Sequence, residues 1–356
     1  MFTIISKPDS LADPYISVVV TAYNRREFIQ EAVQSALDQT LDKEKYEIIV
    51  IKNYLDNKID EFLKEKDVLN IYSDERLWGQ VIGIGIQEAH GEVISFLDDD
   101  DIFLPFKLKE VYNVFRQNDN IAYFRHEIIK TRNIEDVNAQ LKEIDRVGAG
   151  KKNFQVSDLD SERTVFHIER KLGIWNMSSI SIRRKLYLPF QRDLRLNMGI
   201  DLYLFFFAPL LNDTAILCFQ TKPLSIYRVH DSWIGYKSNI TMSEFLMKNS
   251  EISRDVVSSY ENFINIISST HADERNGRLL VDNIKTHLYG WHGRVKLAEG
   301  RKCNMNEILS LTKEGIYSIT PLTLITASLG LFSLLAPNLN GRIYRWGLWK
   351  FSHRNP

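Results

Sequence analysis

Apolar runs and amphipathic stretches alternate along the first third of the chain. Three runs rich in β-branched residues predict strands buried on both faces: Ile16 to Val20, Tyr46 to Ile51 and Val93 to Leu97. Between the first two, the apolar residues from Phe28 to Leu37 recur at helical spacing, and a shorter strand is predicted at Asn70 to Tyr72. This alternation predicts an α/β fold with a mostly parallel sheet flanked by helices.

Local residues refine the helix boundaries in this part. Asn24 and Glu27 have the spacing of an N-terminal capping box for the first helix. A second helix is predicted from about Gln80 to Ala89, and Pro105 suits the first turn of another helix ending at Phe115.

Beyond residue 120 the pattern changes. Further strands are predicted at Ile121 to Phe124, Trp175 to Ile182, Ala215 to Gln220 and Leu224 to Val229. The polar stretch from Arg132 to Ser161 has no clear periodicity and is predicted to be a loop. Tyr203 to Leu211 predicts a helix, and Ser243 to Leu311 predicts helices with charged faces.

Composition indicates a globular protein with a substantial core. The chain has 356 residues, of which 44% are hydrophobic and 26% are charged. A net charge of -1 gives no indication of nucleic-acid binding. Cys218 and Cys303 fit no metal or disulfide spacing, and Met1 to Leu11 shows no signal peptide, so we expect the catalytic part in the cytoplasm.

Four consecutive aspartates, Asp98 to Asp101, directly follow the apolar run that ends at Leu97. A buried strand that ends in carboxylates places hard oxygen ligands at the carboxyl edge of a sheet, where open α/β folds bind ligands. Adjacent like charges are costly to desolvate, so folding alone gives little reason for them. The pattern favours a site for a divalent cation carrying phosphates over a solvated turn.

Three segments together resemble glycosyltransferase family 2: Ile16 to Arg25, Glu47 to Val50 and Gly91 to Asp101. The resemblance extends from about Tyr15 to Ser232 and is strongest in its first hundred residues. It implies the GT-A fold of nucleotide-diphospho-sugar transferases, with a helical C-terminal region outside it. It also implies an inverting transfer of sugar from a nucleotide-sugar donor.

The resemblance carries specific roles onto the aspartates. In that family such a cluster holds Mn²⁺ or Mg²⁺ on the donor diphosphate, which implies that Asp98 lies near the ribose and metal and that Asp100 ligates the metal. Asp101 either hydrogen-bonds the loop or positions the acceptor. The other donor-binding candidates are Thr21, Ala22, Tyr23, Asn53, Asp99 and Arg228, and the further candidate metal ligand is His230. Arg228 and His230 could equally be structural residues near the domain end.

Two departures from the family pattern affect the site. Ile200 stands where the family usually has the glutamate of a glutamate–aspartate pair, but Asp201 is present. The resemblance makes Asp201 the general base that takes a proton from the acceptor, while an N-cap or first-turn aspartate of the helix that starts there is the alternative. Asn53 stands near where the family usually has a base-binding aspartate, with Asp56 as a more distant candidate, which leaves the donor base and sugar open.

The C-terminal segment suggests a membrane surface. The 27 residues between Glu314 and Arg342 carry no charge, and Pro321 and Pro337 bracket 15 of them, which is short for a full crossing. Basic and aromatic residues follow, as at an anionic interface: Arg342, Tyr344, Arg345, Trp346, Trp349, Lys350 and Arg354. We predict a peripheral or re-entrant anchor at the cytoplasmic face of the cell membrane, with a buried core helix as the alternative.

These observations predict three regions: a catalytic domain over residues 1–235, a helical region over 236–312 and a membrane-associating segment over 313–356. The predicted function is metal-dependent, inverting transfer of a sugar to a saccharide or lipid-linked saccharide. One alternative is a phosphatase with an aspartate nucleophile, although that motif normally ends a first strand. The other is a degenerate sugar-nucleotide-binding protein without activity.

Overall fold

A computed structural model of the protein describes residues 2–8, 13–134, 150–155, 176–194, 200–201, 204, 214–230, 241–270, 275–318 and 321–352. The described residues up to Val229 form one compact unit, and those from His230 onward form a second. The predicted domain boundary at residue 235 stays a prediction, because residues 231–240 lie outside the described part.

The first unit contains a ten-stranded sheet within the described residues. Its strands are β1 Phe2–Ser6, β2 Ile16–Ala22, β3 Tyr46–Lys52, β4 Leu69–Ser73, β5 Val93–Asp98, β6 Ile102–Phe103, β7 Ile121–Thr131, β8 Lys151–Gln155, β9 Ile180–Arg183 and β10 Ile216–Arg228. Its helices are α1 Ile29–Leu37, α2 Asn57–Glu65, α3 Trp78–Glu88, α4 Lys107–Gln117 and α5 Arg184–Tyr187, with 3₁₀ turns at Lys43–Lys45, Met177–Ser179 and Leu188–Asp193.

The strand order is β1-β4-β3-β2-β5-β9-β7-β10-β6, and β8 pairs with β10. The adjacent strands β4, β3, β2 and β5 are parallel, as predicted, and β7 and β10 form a further parallel pair. Antiparallel strands complete the sheet on both sides. The predicted α/β class with flanking helices is confirmed.

The four parallel strands are buried because both of their faces are covered. Every residue of β2 is buried, and α1 packs its apolar stripe, including Ile29 and Val33, into the same core. Helix α3 approaches β2 very closely. A Cβ on Gly85 would lie 2.5 Å from Val19 Cγ1, so only glycine permits this approach without displacement.

Several local predictions differ from the structure. Helix α1 begins at Ile29 with Phe28 as its N-cap, so the predicted capping box at Asn24 is wrong. The strand predicted from Trp175 is shorter and begins at Ile180. The two strands predicted between residues 215 and 229 are one continuous strand, β10, because its pairing with β7 continues through irregular register shifts. The stretch predicted as a loop over residues 132–161 contains β8.

The second unit is helical, as predicted for residues 243–311. Its helices are α6 Met242–Thr270, α7 Arg275–Glu299, α8 Met305–Ser318, α9 Pro321–Phe332 and α10 Pro337–Ser352. Helices α9 and α10 each begin at a proline, which has no backbone N–H to leave unpaired there. None of the described helices combines the length and the apolar character that crossing a bilayer would require.

Buried His287 predicts that the stability of this unit depends on pH. Its ring stacks on Tyr260, and burial, followed by the charge of Arg294, lowers its pKa to about 3. The folded state therefore keeps His287 neutral, while the unfolded chain takes up a proton as the pH falls through 6.5. We expect this residue to lower the free energy of unfolding by about 2 kcal/mol between pH 8 and pH 5.

Urea unfolding of the full chain at several pH values, followed by tryptophan fluorescence, measures this dependence. His287→Phe should flatten it, because phenylalanine keeps the ring contact with Tyr260 and binds no proton. An unchanged pH dependence in His287→Phe would assign the effect to other groups.

Candidate functional site

The acidic loop, Asp98–Asp101, begins at the last residue of β5, in the middle of the sheet. Asp98 N donates a hydrogen bond to Ser178 Oγ (2.9 Å), and Asp99 N donates to Thr21 O (3.2 Å). Thr21 also pairs with Asp98 in the register of β2 and β5. The loop therefore lies at the carboxyl edge of the parallel strands, where open α/β sheets bind ligands.

The four carboxylates have different surroundings. Asp99 and Asp101 are each 1% exposed, whereas Asp98 and Asp100 are partly exposed. Burial, followed by the charges of the other three aspartates, raises the pKa of Asp98 well above its usual range. Burial also raises the pKa of Asp99 to about 6 and that of Asp101 to about 7. A cation at this loop would offset the cost of holding these carboxylates ionised.

Arg25 provides part of that positive charge. Its Nη2 lies 2.8 Å from Asp100 Oδ2, and its Nε donates to Asp99 Oδ2 (3.3 Å). Nη2 also contacts Asp99 Oδ1. Arg25 belongs to the segment that carried the family resemblance, but its partner Asp99 is 74 residues away and could not be predicted from local pattern.

Arg228 and Asn176 hold the end of the loop. Arg228 N donates to Asp101 Oδ1 (3.1 Å), and Asn176 Nδ2 donates to Asp101 Oδ2 (2.9 Å). The Arg228 guanidinium lies 4.4 Å from the centre of the Phe28 ring, and its Nε donates to Asp100 O (3.0 Å). The Asp101 carboxylate thus makes structural hydrogen bonds, and its role in positioning the acceptor stays a prediction. The role of Arg228 in donor binding stays a prediction.

A second cation, Lys107, lies fully buried at the start of α4. Its Nζ donates to Ser178 O (2.6 Å) and Ser225 Oγ (3.4 Å). Burial lowers the pKa of Lys107, and the charges of Asp101 and Asp98 oppose that shift. The sequence analysis did not identify Lys107, because a lysine on an amphipathic helix normally lies at the surface.

A cavity of about 250 Å³ lies at the carboxyl ends of the neighbouring strands β2, β3 and β4. Its lining includes predicted donor-binding residues together with residues that the sequence analysis did not single out: Thr21, Ala22, Tyr23, Asn53, Ile51, Lys52, Ser73, Arg76, Trp78 and Val81. The structure thus brings Thr21, Ala22, Tyr23 and Asn53 together at one cavity beside the acidic loop. Their role in donor binding stays a prediction.

Asn53 shapes the mouth of this cavity through Asn24. Asn24 N donates to Asn53 Oδ1 (2.7 Å), and Asn53 Nδ2 donates to Asn24 Oδ1 (3.0 Å). Asn24 has φ +56°, a left-handed conformation that asparagine tolerates better than most residues. Asn24 therefore serves the loop after β2 instead of capping α1. Tyr23 beside it is 45% exposed, so its ring is accessible to a ligand.

Asp201, the predicted base, lies near β7. Burial and the charge of Asp201 raise the pKa of Tyr123, with Arg125 opposing. Burial lowers the pKa of Arg125, and the charge of Asp201 opposes that shift. Much of the helix predicted at Tyr203 to Leu211 lies outside the described residues, as does Trp175.

His230, the predicted metal ligand, immediately follows the first unit. Val229 N donates to Thr131 O (2.9 Å), which fixes the chain up to that point. His230 itself is counted with the second unit, and its part in metal binding stays a prediction.

Comparison with known proteins supports the fold. The solved structure of residues 1–349 of TarS from S. aureus, in complex with UDP-GlcNAc, superposes with a TM-score of 0.52 at 13% identity. The match covers 94% of this chain and 91% of that one. The observed α/β architecture is therefore the GT-A fold.

Sequence comparison finds similarity to proteins named as glycosyltransferases. An uncharacterized glycosyltransferase of Rickettsia felis is 31% identical over 140 residues, which is 36% of this chain and 22% of the relative. One of Rickettsia typhi is 31% identical over 121 residues, which is 33% of this chain and 37% of the relative. The chain thus spans well under half the length of these relatives. The model of the family described as Glycosyl transferase family 2 matches residues 17–168 of this chain.

Proposed function

We propose that this protein transfers a sugar from a nucleotide-sugar donor to a saccharide or lipid-linked saccharide, with inversion at the anomeric carbon. The observation that carries the proposal is the position of the acidic loop next to the cavity at the ends of β2, β3 and β4. If a cation held the donor diphosphate at the loop, the nucleobase of the donor would lie near that cavity. The family match over residues 17–168 supports the same function.

The acidic loop suits Mn²⁺ or Mg²⁺ if the phosphates of the bound donor supply the remaining ligands of the ion. Among the described residues, no three His, Cys, Asp or Glu side chains form a ready metal site. A cation that bridges phosphates, however, is usually held by just one or two carboxylates. Asp98 Oδ1 is buried without a hydrogen-bond partner in the described part of the chain, and Asp100 is partly exposed beside it. These two residues would hold the cation, with His230 as a further candidate.

The cation would neutralise negative charge that develops on the leaving diphosphate. The chain's own residues keep the loop in place for this purpose. Arg228 N and Asn176 hold Asp101, while Arg25 lies against Asp99 and Asp100 and adds positive charge where a diphosphate needs it. Asp201 takes the proton of the attacking acceptor hydroxyl, which lets the acceptor displace the diphosphate directly.

Two alternatives are less well supported. A phosphatase with an aspartate nucleophile requires a lysine that reaches the phosphate, but Lys107 is fully buried and its Nζ is bonded to Ser178 O. A sugar-nucleotide-binding protein that had lost its activity would not need a general base. Asp201 is nevertheless present, together with Asp98 and Asp100. Both alternatives predict that no nucleotide sugar is turned over to nucleoside diphosphate.

Thermal shift of the full chain with Mn²⁺ and either UDP or GDP tests donor binding. A nucleotide that binds the folded protein should raise its melting temperature with concentration, by mass action. Mn²⁺ alone serves as the control for metal binding elsewhere. If neither nucleotide nor a panel of other nucleoside diphosphates stabilises the protein, the donor site is wrong.

Tyr23→Ala should weaken nucleotide binding about tenfold, because base–aromatic stacking contributes roughly 1–3 kcal/mol. Tyr23 lines the cavity and is 45% exposed, so folding should be unaffected. Tyr23→Phe retains the ring and should bind as the wild type does. Isothermal titration with the stabilising nucleotide measures both variants, and wild-type affinity in Tyr23→Ala would remove Tyr23 from the donor site.

A further inference from the structure

Helices α9 and α10 expose a continuous set of large apolar side chains, here called the apolar face: Leu324, Ile325, Leu331, Phe332, Leu335, Leu339 and Ile343. Leu335 is 82% exposed, and Phe332 and Leu339 are each 58% exposed. Most of these residues line one wide surface depression. Single exposed apolar residues are common, but a contiguous group of this size marks an interaction surface.

The exposure is not a consequence of loose packing. The same helices are anchored by buried residues: Leu329 and Tyr344 pack against residues of α7 and α8 that include Leu297 and Leu311. The backbone N–H groups of the turn between α9 and α10 are hydrogen-bonded within the chain: Ser333 N donates to Leu329 O (2.9 Å), Leu335 N to Phe332 O (3.0 Å) and Ala336 N to Phe332 O (3.1 Å). Hydrogen-bonded N–H groups lower the cost of placing the turn at the boundary of an apolar medium.

Charge distinguishes between possible occupants of the apolar face. The sequence contains no aspartate or glutamate after Glu314. Exposed Arg342 lies three residues after Leu339 and four before Trp346, which is 55% exposed, so it borders the apolar face. In a dimer formed through this face, Arg342 of each copy would face a segment that carries no aspartate or glutamate. A surface of anionic lipid offers both the apolar interior and the phosphates.

We propose that the apolar face docks into the outer part of an anionic bilayer. Leu335, Phe332 and Leu339 enter the boundary between headgroups and acyl chains, while Arg342 contacts lipid phosphates and Trp346 lies at the interface. The helices lie on the membrane without crossing it. This inference goes beyond the proposed sugar transfer and does not depend on it, although such docking would bring the enzyme to a lipid-linked acceptor.

Flotation of the full chain with phosphatidylcholine vesicles, with and without phosphatidylglycerol, tests the inference without any turnover assay. Wild type should float with the anionic vesicles. Leu335→Glu should reduce the partition coefficient about tenfold or more, because it removes an inserted leucine and adds a charge that anionic lipid repels. Leu55→Glu is the matched control: it makes the same change at a leucine that is 62% exposed in the first unit, and it should bind as wild type does.

Arg342→Ala should lower the partition coefficient for anionic vesicles about fivefold and leave that for phosphatidylcholine vesicles nearly unchanged. Sedimentation velocity of wild type and Leu335→Glu is the second measurement. If the wild-type protein does not float with anionic vesicles, the proposal is wrong. Dimers in wild type that become monomers in Leu335→Glu, without vesicle binding, would instead identify the face as a self-association surface.

Discussion

Asp100→Asn should lower sugar transfer about a hundredfold or more while leaving the fold intact. The substitution keeps the size of the side chain and removes the charge of a proposed metal ligand. The fold should survive, because Asp100 is partly exposed and the bond that Arg228 Nε donates goes to its backbone oxygen. Initial rates at a series of Mn²⁺ concentrations, with circular dichroism as a check on folding, measure the effect.

Asp119→Asn is a suitable control, since it makes the same change at a side chain that is 90% exposed and far from the loop in sequence. It should have wild-type activity. Asp100→Asn with near-normal turnover at limiting Mn²⁺ would contradict the assignment of Asp100 as a metal ligand.

Asp201→Asn should lower kcat by roughly two to four orders of magnitude with little change in donor affinity. A general base acts on the acceptor hydroxyl in the transition state, so its loss leaves the ground-state complex with the donor intact. Steady-state kinetics with a saturating acceptor gives kcat, and titration with nucleoside diphosphate and Mn²⁺ gives the affinity.

The same variant should show a different pH dependence from the wild type, because the ionising base is gone. Turnover that falls together with donor affinity would instead place Asp201 in the donor site. A melting temperature lowered by many degrees would favour the alternative role of Asp201 as a structural helix residue near Tyr123 and Arg125.

The parallel half of the sheet was predictable from sequence because burial on both faces leaves a continuous apolar run. β2, β3 and β5 lie close to their predicted bounds for this reason. The N-terminal strand β1 was not predicted. Its residues alternate between partly buried and exposed, as on an edge strand, and it is only five residues long. Its pairing with β4 is a long-range contact that local pattern cannot indicate.

Asn24 shows how a tertiary contact can override a local motif. Its spacing to Glu27 matches a capping box, yet its side chain bonds Asn53, which is 29 residues away on the loop after β3. The start of the helix consequently moves to Ile29. A local capping motif is therefore overridden when its asparagine hydrogen-bonds a residue that is distant in sequence.

The acidic loop was identified from sequence, but the basic residues near it were not. Arg25 precedes Asp99 by 74 residues in sequence but contacts both Asp99 and Asp100. Lys107 lies in the core, where the charges of Asp101 and Asp98 act on its pKa. Neither residue type is distinctive in sequence, since charged side chains are mostly at the surface. Arg25 follows β2 and the acidic loop follows β5, so the pairing of these two strands in the sheet brings them together.

The central claim is that the acidic loop supports transfer from a nucleotide sugar. The most direct measurement is chromatographic analysis of the products formed by the full chain from a panel of nucleotide sugars with Mn²⁺, comparing wild type with Asp100→Asn. We predict that at least one donor yields nucleoside diphosphate, and that both a chelator and Asp100→Asn suppress its release. Release of inorganic phosphate in its place, or equal release of nucleoside diphosphate by the two proteins, would contradict the account.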